Sequence, residues 1–309
     1  MTVKGEIIVR AKFACLNQFF QEGTIVSDIK TILVTGAGGY IGRYVVKALL
    51  GMGVNVCAVD FNIEQIDSRA NKFQFDIFAG HENIYEELGR PDSCLHMAWK
   101  DGFVHNSDSH ILELFSHYNF VRNMVNGGLK HIAVMGTMHE VGYWEGEIDE
   151  NTPTNPRSLY GITKNSLRQM IELLTYALDV TFQWLRAFYI LGDDLMNNSL
   201  FSKIARMEME GQETFPFNSG KNKYDFITVQ ELAEQIACAV TQSEINGIIN
   251  CCTGEPVALR DKVEEFLTQR GFTIKPQYGA FPERAYDSPA IWGNPDKINQ
   301  IMLNKYGRQ

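Results

Sequence analysis

No stretch of the 309 residues approaches the length of a membrane-spanning helix, and the first twelve, MTVKGEIIVRAK, lack the layout of a secretory signal. A cytoplasmic protein with no membrane partner is the expectation. Cysteine is scarce: the six residues at 15, 57, 94, 238, 251 and 252 contain no Cys-x-x-Cys spacing. Cys57, Cys94, Cys251 and Cys252 sit in apolar, strand-like runs, so they read as small buried hydrophobes and not as disulfides or metal ligands. Positive charge is also short, with 28 Lys and Arg against 37 Asp and Glu, a formal net charge of −9. No basic stripe offsets that balance, which argues against nucleic acid as a partner. All seven histidines fall between His81 and His139, yet their spacing fits no standard ligand motif, and no metal is expected.

What remains is the composition of an ordinary globule, 45% hydrophobic and 21% charged, long enough for one large α/β unit and a smaller lobe. From residue 31 strand and helix signals alternate: TILVTG, a helix near 40–52, NVCAVDF, FQFDIF, SCLHMAW, a helix near 108–127, HIAVMGT and a helix near 158–178. Apolar strands alternating with helices predict a doubly wound parallel sheet, a Rossmann arrangement, with a smaller mixed lobe. The expected division is a cofactor domain from 31–188 and 225–254 and a substrate lobe from 189–224 and 255–309. Residues 1–30 form an extension too apolar for a typical disordered tail and without an assigned role.

Two motifs carry chemistry. In TILVTGAGGYIG (31–42) a buried strand runs through Gly36, Gly39 and Gly42 into a helix that begins near Tyr40 and Ile41. A tight turn, close approach of a pyrophosphate and close helix–strand packing all require glycine there, and the helix N-terminus meets the phosphates. In LYGITK (159–164) a helix sets Tyr160 and Lys164 one turn apart on one face. A cation there stabilises tyrosinate, so that Tyr160 exchanges a proton with a hydroxyl near neutral pH.

Together with Thr137 upstream, these motifs resemble the extended short-chain dehydrogenase/reductases, the family of the nucleotide-sugar epimerases, over roughly residues 31–300. The resemblance implies that Thr137 and Tyr160 act on a sugar hydroxyl or carbonyl while Lys164 fixes the nicotinamide ribose. Registering the threonine motif on Val141 instead of Gly142 gives Met138, which cannot donate a hydrogen bond, so Thr137 is preferred. Asp60, at the end of the second strand, is placed to bind the adenosine ribose and repel a 2′-phosphate, favouring NAD over NADP. Asp76 and Ile77 resemble the pair at the adenine, and His96-Met97-Ala98-Trp99 the stretch along the cofactor, with Ala98, Lys100 and Asn119 as contacts.

The segment ERAYDSPAIWGNPDK resembles the family's diphosphate- and ribose-binding stretch, which assigns Arg284 and Asp287 to a nucleoside-diphosphate sugar. Tyr189 and Tyr224 stand where many members have asparagine and arginine, with Lys221 and Lys223 nearby to compensate. His139 lies two residues after Thr137, where a related dehydratase carries a glutamate base, and suits removal of a proton beside a keto group. The leading expectation is NAD-dependent epimerisation through hydride transfer at carbon 4. A reductase of a 4-keto-6-deoxy nucleotide sugar is second, favoured by Gly136-Thr137-x-x-Glu140, and a non-catalytic dinucleotide sensor third. The resemblance further implies a homodimer through apolar stripes around Ile111 and Met170.

Overall fold

The computed structural model describes residues 29–192, 199–283 and 287–307. Ile32, Leu33 and Val34, an unbroken apolar run, are fully buried within β1 (Thr31–Thr35), and such a strand needs cover on both faces. The chain continues through α1 (Gly42–Gly51), β2 (Asn55–Asp60), β3 (Asn71–Gln74), the single turn α2 (Ile84–Glu87), β4 (Ser93–His96), α3 (Ser109–Gly127) and β5 (His131–Thr137). Next come β6 (Gly146–Ile148), α4 (Leu159–Leu178), β7 (Thr181–Ala187), β8 (Tyr189–Leu191), α5 (Leu200–Met209), β9 (Thr214–Pro216) and β10 (Lys223–Thr228). The last elements are α6 (Val229–Val240), β11 (Gly247–Cys251), β12 (Pro256–Ala258), α7 (Leu259–Arg270), β13 (Lys275–Gln277), β14 (Ala290–Gly293) and α8 (Asp296–Tyr306).

The large sheet has seven strands in the order β11-β7-β5-β4-β1-β2-β3, every pair parallel. One face is closed by α1, α6 and α8, whose Val45, Leu49, Leu232, Ile236, Ile298 and Ile301 join a single core. The other face is closed by α2, α3 and α4 through Ile84, Phe120, Met124, Leu167 and Ile171. The helix ends follow local chemistry. The Ser158 hydroxyl accepts from Gly161 N at the start of α4, and Thr228 and Glu231 form a reciprocal capping box at the start of α6.

A second sheet runs β12-β10-β14-β6 with β8 beside β10, and a two-stranded sheet pairs β13 with β9. Sheet membership crosses the lobe boundaries expected from the sequence, because β6 and β10 both pair with β14 whereas α6 and β11 belong to the large sheet's side. Pairing partners of strands this short are chosen over long sequence separations, which a local pattern does not record. Among the described residues no helix is long and apolar enough to cross a membrane.

Candidate active site

Strand order reverses at β1, which lies between β4 and β2, and in an open α/β sheet ligands bind outside the carboxyl ends of the strands at such a point. There the chain turns at Gly36, whose φ of +67° suits glycine and where a Cβ would lie 2.7 Å from Ala98 N. The Thr35 hydroxyl braces the same crossing: it bonds His96 Nδ1 at 2.8 Å and accepts from Met97 N and Ala98 N. No side chain caps the N-terminus of α1, leaving it available to an anion. Asp60 ends β2, its Oδ2 accepting from Gly38 N at 2.9 Å and its Oδ1 from Asn62 N at 3.2 Å.

Gly36, Gly38, Asp60 and Met97 line one cavity of about 1700 Å³, which also takes in Gly39, Tyr40, Ile41, Gly42, Asp76, Ile77, Ala98 and Lys100. Asp76 and Ile77 lie just past the end of β3. Asn119 is not brought to this wall; it sits on α3 and its carboxamide oxygen takes a bond from Arg122.

Thr137 closes β5 and Tyr160 and Lys164 lie in the first turns of α4, so β5 and α4 together aim the trio into the same cavity. Thr137 and Tyr160 line the cavity together. Lys164 is buried, donating from Nζ to Met135 O at 2.7 Å and lying 3.7 Å from the centroid of the Trp99 indole. Burial brings its pKa down to about 7, an effect opposed by the negative charge of Glu140. Tyr160 differs from expectation. Burial drives its pKa upward, outweighing a lowering effect of the Thr137 side chain, and the lysine ammonium is 6.0 Å from its ring centroid, committed to a carbonyl and an aromatic face.

His139 lines the cavity, and burial, with the nearby His105, lowers its pKa to about 4, so its ring is neutral at neutral pH. Tyr189 and Tyr224 lie with tilted rings whose centroids are 4.2 Å apart, and burial raises the pKa of both, with Asp287 adding to the effect. All three line the cavity, whereas Arg284 lies outside the described residues. Two groups at the site escaped the sequence reading. His105, in the loop before α3, lies parallel to the Tyr160 ring at 5.5 Å and within 4.5 Å of the His139 ring, and its carbonyl accepts from Tyr160 N. Nothing in its local sequence marks it. Glu140 did have a signal, its place in Gly136-Thr137-x-x-Glu140, but that pattern says nothing of what the carboxylate touches. Among the described residues no cluster of three or more His, Cys, Asp or Glu is arranged to hold a metal.

Residues 32–252 match the NAD dependent epimerase/dehydratase family. The chain belongs to that family. It is an NAD-dependent enzyme, as expected from its glycine turn and Asp60, and the uncapped α1 N-terminus beside a carboxylate is a donor set that fits a dinucleotide. A relative from Aggregatibacter actinomycetemcomitans, a dTDP-6-deoxy-L-talose 4-dehydrogenase (NAD(+)), is 48% identical over 267 residues, covering 85% of this chain and 98% of the relative. A putative UDP-glucose 4-epimerase from Methanocaldococcus jannaschii is 24% identical over 84% of this chain and 86% of its own length. The solved UDP-glucose 4-epimerase of Thermus thermophilus, in complex with NAD, superposes with a TM-score of 0.75 at 21% identity, covering 89% of this chain and 93% of that one, a likeness of fold.

Proposed function

We propose that this enzyme is a nucleotide-sugar 4-dehydrogenase that transfers hydride between NAD and carbon 4 of a dTDP-6-deoxyhexose, the reverse direction reducing the 4-keto sugar. The observation that carries the reading is that Thr137, Tyr160 and Lys164 share the wall of the cavity that also holds the glycine turn and Asp60. Bound NAD supplies the hydride acceptor. Tyr160 takes the proton of the carbon 4 hydroxyl, and Thr137, on the same cavity wall, holds that hydroxyl in line. Lys164 supplies a cation to the ribose and to the developing phenolate. Net oxidation is preferred to epimerisation because the 48% identical relative is named for it.

A 6-deoxy sugar carries a methyl group at carbon 5, and the cavity wall offers Phe103, Met138, Phe201 and Ile291 among its apolar residues. Tyr189 and Tyr224 supply neutral hydroxyls toward the diphosphate, and Asp287 a carboxylate to the nucleotide ribose. Arg284 retains its assignment to the diphosphate from the family motif. The exposed apolar residues of α3 and α4 support a homodimer.

Incubating the protein with NAD and dTDP-6-deoxy-L-talose should generate reduced nicotinamide and a 4-keto product in equal amounts. Tyr160→Phe should lower that rate about a hundredfold or more while NAD binding persists. No reduced nicotinamide from any dTDP-6-deoxyhexose, together with interconversion of UDP-hexoses, would establish the epimerase reading instead.

A further inference from the structure

The geometry points to Glu140 as a positioning residue that fixes Thr137 and sets a buried carboxylate behind the Thr137, Tyr160 and Lys164 trio. This rests on the roles just proposed for Thr137, Tyr160 and Lys164. Glu140 is fully buried at the end of the 3-10 turn Met138–Glu140 that follows β5. Its Oε1 accepts from Thr137 N at 2.7 Å, and both its oxygens are 2.9 Å from the Trp184 Nε1 donor. The backbone of the threonine is thereby tied to a rigid indole on the neighbouring strand β7. Gly136 makes the arrangement sterically possible, since a Cβ there would lie 2.1 Å from Trp184 Nε1. The Gly-Thr-x-x-Glu pattern thus has a physical account: the glycine admits the indole, the indole holds the carboxylate, and the carboxylate holds the threonine.

The carboxylate also acts on charge. Arg186 Nε lies 3.7 Å from its Oε2, both side chains are inaccessible to solvent, and Arg168 on α4 contributes a more distant positive charge. Burial raises the pKa of Glu140 itself, opposed by the Arg186 charge and by the bonds from Thr137 N and Trp184. Burial is also the larger influence on Lys164 and Tyr160, and the Glu140 charge adds a pull toward the protonated form of each. The other titratable groups around the pair are His96 on β4, His117 on α3, and His105, His110 and His139 around the tyrosine ring. Burial lowers the pKa of His96, His117, His105 and His139, so Glu140 supplies the negative charge facing Lys164.

Glu140→Gln keeps an oxygen acceptor for Thr137 N and removes the charge. NAD affinity measured by calorimetry across pH should weaken, in the wild type, as Lys164 loses its proton. In Glu140→Gln that fall should occur about one pH unit lower. The bell of kcat against pH for a nucleotide sugar that the wild type turns over should move to acid by a similar amount, because Lys164 and Tyr160 both lose the charge that raised them. Glu140→Asp retains the charge but not the reach to Thr137 N. Its profiles should stay at the wild-type pH while kcat falls about tenfold to a hundredfold. Profiles of Glu140→Gln that superpose on the wild type overturn the inference, as does a Glu140→Asp profile displaced to acid. Should Glu140→Gln prove unfolded by circular dichroism, with Arg186 left unpaired, the Glu140→Asp comparison decides alone. A wild type that binds NAD but turns over no nucleotide sugar counts against the proposed function, and the NAD titrations still test Glu140.

Discussion

Asp60 occupies a position where one carboxylate serves two ends. Its oxygens already hold the backbone of the glycine turn and of Asn62, and the same group faces the cavity where an adenosine ribose would lie. Hydrogen bonds to a charged acceptor contribute about 1.5–3 kcal/mol each, so Asp60→Ala should weaken NAD binding by about tenfold or more. The same variant should narrow the preference over NADP, whose 2′-phosphate no longer meets a carboxylate; calorimetry that finds the wild type favouring NADP would contradict this. His139 poses the opposite case. A histidine held at about 4 by burial and by His105 is a weak base near neutral pH. Turnover in heavy water should therefore leave the carbons flanking carbon 4 free of solvent deuterium. Incorporation that vanishes in His139→Ala would show instead that the ring removes a proton there, the role the sequence suggested.

At the scale of elements, α3 and α4 each divide their apolar residues between two faces. Phe120, Met124, Leu167 and Ile171 pack onto the sheet, while Leu112 and Phe115 on α3 and Leu173 and Tyr176 on α4 are exposed at 78%, 65%, 73% and 88%. Large exposed apolar residues on two helices of one face are candidates for burial in an interface. Burying an apolar side chain of this size is worth about 1.5–3 kcal/mol, so pairing of α3 and α4 with their copies in a second subunit would gain substantially from these four. Leu112→Arg combined with Tyr176→Arg should convert a dimer seen by light scattering into monomer without changing the circular dichroism spectrum. A wild type already monomeric at micromolar concentration would remove the assembly from the account. The sequence located both helices to within a residue or two because their caps and apolar spacing are local. Which of their apolar residues met the sheet depended on packing.

For the molecule as a whole, buried histidines set the response to acid. Burial lowers the pKa of His96 to about 3, with Lys164 adding to the effect, and puts that of His117 well below its ordinary value. It brings both His131 and His139 to about 4. In the unfolded chain each of these rings takes a proton near its ordinary value of about 6.5, whereas the folded form resists until much lower pH. Folded-state pKa values that are depressed in this way mean stability that is complete above about 6.5 and lost as pH falls toward about 4 and below. The urea midpoint should accordingly be lower at about pH 5 than at about pH 7.5, and His131→Gln, distant from the cavity wall, should lessen that difference. A midpoint flat across this range would show that the rings are solvated in the folded protein.

The sequence by itself determined the doubly wound sheet, the glycine turn, the Tyr160–Lys164 pair and the carboxylate at Asp60, because each is written in residues a few positions apart whose spacing matches one helical turn, one strand or one tight turn. It carried less about what surrounds them. That His105 lies against Tyr160, that Trp99 and Met135 hold Lys164, and that Glu140 reaches back to Thr137 under Trp184 are contacts between segments distant in the chain or between strands whose pairing is non-local. The same holds for charge. A tyrosine four residues before a lysine implies a lowered pKa on a bare helix, and only the tertiary structure decided that burial wins, raising the pKa of Tyr160 and lowering that of Lys164.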